Sequence, residues 1–264
     1  MAVVVVPAAA LIVLLAYSLY TSALADLQVS QASAARGRAV SVRSWLDAAG
    51  RSLANEAFAA RFVAADRCQR LADAFLRRNA GFVSVRFLDE AASPCSAGRA
   101  VDPQRLAEAA RSGADAAGYR LLLVDRQIWI VAVDPELSPQ GAPSVLVVDD
   151  AALRGHLQAI AAVGQTHVAL TNGDGEIVVA QPTQPNALWA PAKLPSDAVW
   201  RAPDRSGSAA TFAWSAIEGS SMGLLMRFDD QRLQAARQRL AVLCLTQLAM
   251  LALLGLVYAA AIRR

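Results

Sequence analysis

The chain has 264 residues, of which 55% are hydrophobic and 18% are charged. Two of its 25 basic residues are the terminal Arg263 and Arg264, so the other 23 nearly balance the 22 acidic residues. Because no basic cluster is interleaved with aromatic residues, nucleic acid is excluded as a partner. No glycine-rich phosphate loop and no histidine with a nucleophilic partner occurs, so we expect no enzyme activity in this chain and no cofactor.

The two ends of the chain are apolar and uncharged over residues 2–24 and 240–262. Each stretch is long enough to cross a bilayer, which takes about 20 apolar residues. The sequence therefore predicts two transmembrane helices around a central domain at 26–239. A cleaved signal peptide at 1–25, with small residues at Ala23 and Ala25, is the rival interpretation, but no positive segment precedes the apolar run.

Helical spacing dominates the first third of the central domain. Residues 26–78 are predicted to form one long helix, with a break near Gly37 or Gly50, because apolar residues recur every three or four positions. A second helix is predicted at 103–112, where Asp102 is placed to cap its first turn.

The rest of the domain alternates strands with turns. Asp149 and Asp150 begin a helix that runs to residue 163. Residues 182–203, which contain five prolines, are predicted to be a loop or a short extended connector. Asp229 and Asp230 begin an exit helix that continues into the second apolar stretch. The predicted strands are 83–88, the hairpin 119–124 with 127–133, 144–148, the hairpin 167–170 with 176–180, and the hairpin 211–216 with 222–228.

Two of the three cysteines lie in the polar middle of the chain. Cys68, Leu71, Ala72 and Phe75 share one helix face. The helix from Cys68 onward descends about 15 Å, and strand 83–88 climbs back about 17 Å. This path brings Cys95 level with Cys68, so the sequence predicts a disulfide between them if the compartment is oxidising.

Other polar clusters have simpler explanations. A metal site formed by Cys68, Cys95, His156 and His167 has no zinc-like spacing. The pair Asp149–Asp150 is explained by helix capping, and the acidic residues of 172–176 by a turn, since the spacing of a calcium loop is missing. Cys244 is expected to be a small hydrophobic residue within the second apolar stretch.

The cysteine region also resembles a known family. A helical cysteine, a strand, a short acidic turn and then Cys95-Ser96-Ala97-Gly98 resemble the CSS-motif sensor region of bacterial EAL-type cyclic-di-GMP phosphodiesterases. Ala97 stands where that motif has its second serine. The specific match is confined to Cys68 and to the residues 95–98.

The resemblance implies a multi-pass protein of the bacterial inner membrane with its central domain in the periplasm. It implies a redox switch, in which the Cys68–Cys95 disulfide restrains a phosphodiesterase and the dithiol releases it. The catalytic EAL domain would follow this chain, which contains no Glu-Ala-Leu site of its own. The implied partners are the inner membrane, periplasmic thiol-disulfide oxidoreductases, the downstream EAL domain and a second copy of the chain.

The order of elements resembles the PAS-like Cache sensors of bacterial receptors. The expected fold class is α+β: a PAS/Cache-like domain with a long N-terminal helix, flanked by two transmembrane helices. One alternative function is a Cache-type small-ligand sensor of a histidine kinase or chemoreceptor, whose disulfide is purely structural. Another is a secreted or singly anchored binding protein without signalling output.

The sequence contains opposing signals for the orientation of the chain in the membrane. Arg263 and Arg264 favour a cytoplasmic C-terminus, and the cysteine pair and the family resemblance favour a periplasmic middle. Arginines near the membrane on the other side favour the inverse topology by simple counting: Arg36, Arg38, Arg43, Arg232, Arg237 and Arg239. Because long translocated domains weaken the counting rule, we expect both termini in the cytoplasm.

Overall fold

The structure is a computed structural model that describes residues 2–60, 62–87, 95–102, 105, 119–132, 144–162, 167–181, 198–203, 207, 209–229 and 231–262. Four helices lie in these ranges: α1 (Ala2–Ala60), α2 (Ala65–Arg78), α3 (Asp150–Ala162) and α4 (Gln231–Ile262). The strands are β1 (Phe82–Phe87), β2 (Cys95–Gly98), β3 (Tyr119–Val124), β4 (Gln127–Ala132), β5 (Ser144–Val148), β6 (His167–Asn172), β7 (Ile177–Gln181), β8 (Val199–Pro203), β9 (Ala209–Ala216) and β10 (Met222–Asp229).

The strands form two antiparallel sheets with the same topology. The first has the order β2-β1-β5-β4-β3, and the second β7-β6-β10-β9-β8. Numbered from one within each sheet, both orders become 2-1-5-4-3. The α+β prediction is therefore confirmed, but the structure contains this sheet twice, whereas the sequence shows no repeat and predicts a single PAS-like unit.

Helix α1 is the common support of both sheets. It contacts β3, β4 and β5 of the first sheet, β8, β9 and β10 of the second, and helix α4. Its buried side chains recur at alternating spacings of four and three residues, which places them on one helix face. They are Ala35, Ala39, Val42, Leu46, Ala49 and Leu53.

The predicted break in the long helix is misplaced. Both Gly37 and Gly50 remain helical, and the break lies between Ala60, where α1 ends, and Ala65, where α2 begins. Gly50 has a packing role instead, because a Cβ atom there would lie 2.5 Å from the Tyr119 ring. The close approach of β3 to α1, rather than a bend, requires this glycine.

Most of the predicted turns and strands are confirmed. Asp125 and Arg126, at φ 46° and 65°, form the two-residue turn of the β3–β4 hairpin. The Oδ1 atom of Asn172 accepts hydrogen bonds from the backbone N–H groups of Asp174 and Glu176, at 3.1 and 2.8 Å. This side chain shapes the β6–β7 turn that the sequence predicts.

The proline-rich stretch, predicted as a loop or a short extended connector, ends in a strand. Its last five residues form β8, which pairs with β9 at the edge of the second sheet. Pro203 is tolerated because it ends an edge strand. The predicted helix at 103–112 lies outside the described residues, except for Arg105.

The exit helix follows β10 as predicted and continues without a break from Gln231 to Ile262. Within the ranges that the structure describes, no helix has both the length and the apolar character needed to cross a membrane. The two membrane spans remain predictions.

Candidate functional site

A disulfide joins Cys68 on α2 to Cys95, the first residue of β2, with Cα atoms 5.8 Å apart. Both cysteines are buried, and the pairing agrees with the geometry expected from the sequence. Gln69 Nε2 donates a hydrogen bond to the Ser96 carbonyl oxygen at 2.7 Å. The bond and this contact fix α2 along the edge strand of the first sheet.

The remaining motif residues serve the packing of this corner. Ala97 is buried among apolar side chains, where a serine hydroxyl would need a partner. Gly98 has φ +85°, and a Cβ atom there would lie 2.1 Å from the Val83 carbonyl oxygen. Phe75 on α2 packs edge-to-face on Phe87 of β1 at a centroid distance of 5.8 Å.

The other polar candidates from the sequence are dispersed. His156 on α3 stacks on Trp45 at 5.2 Å, and His167 begins β6, so neither histidine joins the cysteines. Within the described residues, no group of three or more His, Cys, Asp or Glu side chains is arranged to hold a metal ion. Asp149 caps α3, because its Oδ1 atom accepts a hydrogen bond from the Ala151 N–H at 3.2 Å.

The centre of the first sheet is buried on both faces. Its inner face packs with α1 through the row Ala97, Val85, Leu146, Ile130 and Leu121. The opposite face, here called the outer face, consists of the row Ser96, Arg86, Val145, Val131 and Arg120 and the row Gly98, Ser84, Val147, Trp129 and Leu122.

The outer face combines apolar burial with unpaired donors. Trp129, Val131, Val145 and Val147 are each at most 4% exposed. Arg86 Nε and Trp129 Nε1 are buried and have no hydrogen-bond partner in the described part of the structure. A buried donor without a partner costs about 1–3 kcal/mol. The face is therefore suited to a molecule that brings acceptors.

The register shows how these two donors are placed. Arg86 lies on β1 opposite Val145, and Trp129 lies on β4 opposite Val147. Strand β5 lies between β1 and β4, so β1 and β4 are about 10 Å apart. Arg86 and Trp129 therefore flank Val145 and Val147 on the same face of the sheet.

The corresponding face of the second sheet contains Trp214 and Phe212, with Trp200 packed against them. The Trp214 indole lies where a Cβ atom of residue 223 would be, so only glycine fits there. Its Nε1 atom donates to Thr171 Oγ1 at 3.0 Å. Trp200 stacks on Phe212 at 5.7 Å, although its own indole N–H has no partner among the described residues. The interlocked Trp214 makes the first sheet the stronger candidate.

Arg86 and Trp129 are not identifiable as site residues from the sequence. A charged residue that alternates with apolar ones in a strand normally indicates a solvent-facing position. The signal that distinguishes Arg86 is the burial of its Nε atom. This burial is visible only in the tertiary structure.

No family model and no curated protein matches the sequence. Solved structures share its fold. The ligand-binding domain of the Pseudomonas fluorescens chemoreceptor CtaA in complex with L-isoleucine has a TM-score of 0.64 at 13% identity, covering 83% of this chain and 99% of that chain. The ligand-binding domain of the Pseudomonas aeruginosa PAO1 chemoreceptor PctB in complex with L-Arg has a TM-score of 0.59 at 16% identity, covering 79% and 97%.

The extracellular domain of rpHK1S-Z16, described as a histidine kinase, is similar to the same extent. Its TM-score is 0.59 at 11% identity, and the match covers 80% of this chain and 98% of that chain. At these identities the likeness concerns the fold alone, which the chain shares with these extracellular and ligand-binding domains.

Proposed function

We propose that this chain is the extracytoplasmic sensor region of a membrane receptor and binds a small molecule on the outer face of the first sheet. The observation that carries the proposal is the pair of buried, unpaired donors, Arg86 Nε and Trp129 Nε1. The neighbours in fold support it, since they are ligand-binding domains of chemoreceptors and the extracellular domain of a histidine kinase.

The donors define the chemistry of the ligand. Both unpaired groups are N–H donors, and Arg86 is cationic, so a carboxylate is the favoured acceptor. Val145 and Val147 between them favour an apolar body of small size. Amino acids and small organic acids meet both requirements, and CtaA and PctB, in their solved complexes, hold L-isoleucine and L-arginine.

The test is ligand-induced stabilisation of the full chain in nanodiscs. A panel of amino acids and organic acids is compared with the corresponding amides in a thermal-unfolding assay, and positive compounds are titrated calorimetrically. A carboxylate at 100 times its dissociation constant should stabilise the chain by about 2.7 kcal/mol. The amides should stabilise it much less.

Two substitutions assign the binding to the outer face. Arg86→Gln should weaken carboxylate binding at least tenfold, and Trp129→Phe should weaken it less, since only one neutral hydrogen bond is lost. Arg154→Gln is the matched control, because Arg154 is exposed on α3. Unchanged affinity in Arg86→Gln, or no stabilisation by any compound at millimolar concentration, would contradict the proposal.

A second candidate function follows from the disulfide. The Cys68–Cys95 bond and the adjacent Ser96 and Gly98 support a CSS-type redox region that controls a cytoplasmic EAL phosphodiesterase from the periplasm. In membranes that carry the full-length parent, Cys68→Ala and Cys95→Ala should then change cyclic-di-GMP turnover. Unaltered turnover at equal abundance would leave the bond a structural crosslink and favour the small-ligand sensor.

A further inference from the structure

A continuous chain of hydrogen bonds crosses α1 between the two sheets. The Tyr119 hydroxyl on β3 donates to Asp47 Oδ1 at 2.6 Å. The same carboxylate oxygen pairs with Arg43 Nε at 2.6 Å. Arg43 Nη1 then donates to the Glu218 carbonyl oxygen at 2.5 Å, in the turn between β9 and β10. We call these three side chains and that carbonyl group the α1 relay.

The environment of the α1 relay strengthens its contacts. Tyr119 is 3% exposed, and the side chains of Arg43 and Asp47 are 20% and 22% exposed. Each of the three contacts involves a charged donor or a charged acceptor at short range, and such hydrogen bonds are the strong ones. Burial and the adjacent Asp47 carboxylate raise the pKa of Tyr119 to about 12, so its hydroxyl remains a donor at physiological pH.

Glycines hold both ends of the α1 relay in close contact. A Cβ atom at Gly50 would lie 2.5 Å from the Tyr119 ring. Gly219 has φ +67°, and a Cβ atom there would lie 3.0 Å from Arg43 Nη1. The Tyr119 ring and the Arg43 guanidinium pack directly against glycine backbone. Little space therefore remains for Tyr119 or the 218–221 turn to move independently of α1.

The two ends of the α1 relay lie at functionally different places. Tyr119 precedes Arg120, which belongs to the same row of the outer face as Arg86. At the other end, the turn leads directly into β10, which ends at Asp229 just before α4 begins at Gln231. Helix α4 also contacts α1, so the Glu218 end of the α1 relay is connected to the exit helix both through β10 and through α1.

We propose that the α1 relay transmits the state of the first sheet to β10 and α4, and thereby couples a ligand on the outer face to the exit helix. The ligand input rests on the proposed function, whereas the coupling between the sheets does not. Two sheets attached independently to one helix would not require this cross-connection. The α1 relay makes the 218–221 turn dependent on a tyrosine of the other sheet.

Amide hydrogen exchange of the full chain in nanodiscs tests the coupling without any ligand. Tyr119→Phe removes one hydroxyl and keeps the ring on Gly50. We expect exchange of the 217–223 amides, on the other sheet, to increase about tenfold in Tyr119→Phe and in Asp47→Asn. Ser44→Ala, an exposed position on the same helix, is the matched control and should change exchange less than twofold.

A double-mutant cycle separates a relay from independent local contacts. If the α1 relay acts as one unit, Tyr119→Phe combined with Arg43→Lys should raise exchange at 217–223 no further than Arg43→Lys alone. Exchange at 217–223 within twofold of the wild type in both Tyr119→Phe and Asp47→Asn would overturn the proposal. Multiplicative effects in the double variant would also overturn it.

A ligand arm distinguishes failure of this inference from failure of the proposed function. With a carboxylate that stabilises the wild type, binding should lower exchange at 217–223 in the wild type but not in Tyr119→Phe, although Tyr119→Phe still binds. If no carboxylate binds, the proposed function fails while the ligand-free cycle still decides the coupling. If binding protects 217–223 equally in both proteins, the relay is wrong and the ligand site stands.

Discussion

Removal of the Cys68–Cys95 disulfide should destabilise the protein without abolishing its fold. The bond closes a loop with a sequence separation of 27, which corresponds to about 3.5 kcal/mol in the chain-entropy estimate. The perturbation is the double variant Cys68→Ala with Cys95→Ala, which leaves no unpaired thiol at this corner. The Gln69–Ser96 hydrogen bond and the Phe75–Phe87 contact remain, so α2 should stay docked.

The assay is reversible urea unfolding of the full chain, with thermal unfolding in parallel. For a chain of this size the melting temperature falls by about 2–4 °C for each kcal/mol of lost stability. It should therefore fall by about 7–14 °C. Each single variant should lose about as much as the double variant, because either substitution breaks the bond. Wild-type protein treated with a reductant should match the double variant to within about 1 kcal/mol.

Cys244→Ala is the matched control, since this free cysteine lies on α4 outside the disulfide and should change stability by less than about 0.5 kcal/mol. If the double variant and the reduced wild type both unfold within about 1 kcal/mol of the oxidised protein, the loop-closure reasoning is wrong. The same outcome would deprive the redox switch of the free energy needed to bias a signalling equilibrium.

Three further predictions concern the fold around the site. Gly98→Ala should cost more than about 2 kcal/mol in urea unfolding, because its φ is +85° and the new Cβ atom would meet the Val83 carbonyl oxygen. Phe75 is only 1% exposed, so Phe75→Ala should lower the free energy of unfolding by about 3–5 kcal/mol. Phe58 is 58% exposed, so Phe58→Ala should lower it by less than about 0.5 kcal/mol. Burial lowers the pKa of His156, so its contribution to stability is complete above about pH 6.5 and is lost as the pH falls through the folded-state pKa. The melting temperature should therefore decrease more between pH 7.5 and pH 5.5 in the wild type than in His156→Gln, and equal decreases would exclude His156 as the cause.

Several elements could be predicted from the sequence because local interactions form them. The Asn172 turn and the Asp149 cap are fixed by bonds between residues two to four positions apart. The pairing of Cys68 with Cys95 is also nearly local, since one helix and one strand of similar length return the chain to its starting level. The apolar face of α1 follows from helical periodicity alone.

Contacts between distant segments decided the rest. The sheet is duplicated because β1 pairs with β5 and β6 pairs with β10, and pairings across about 60 residues leave no trace in local patterns. Strand β8 forms because it pairs with β9 at the edge of the second sheet, and Gly50 is required because the Tyr119 ring of another element packs directly on it. The burial of Arg86 Nε and the path from Tyr119 to Glu218 arise in the same way. Burial and side-chain partners depend on which segments are brought together in space, and only the tertiary structure determines that.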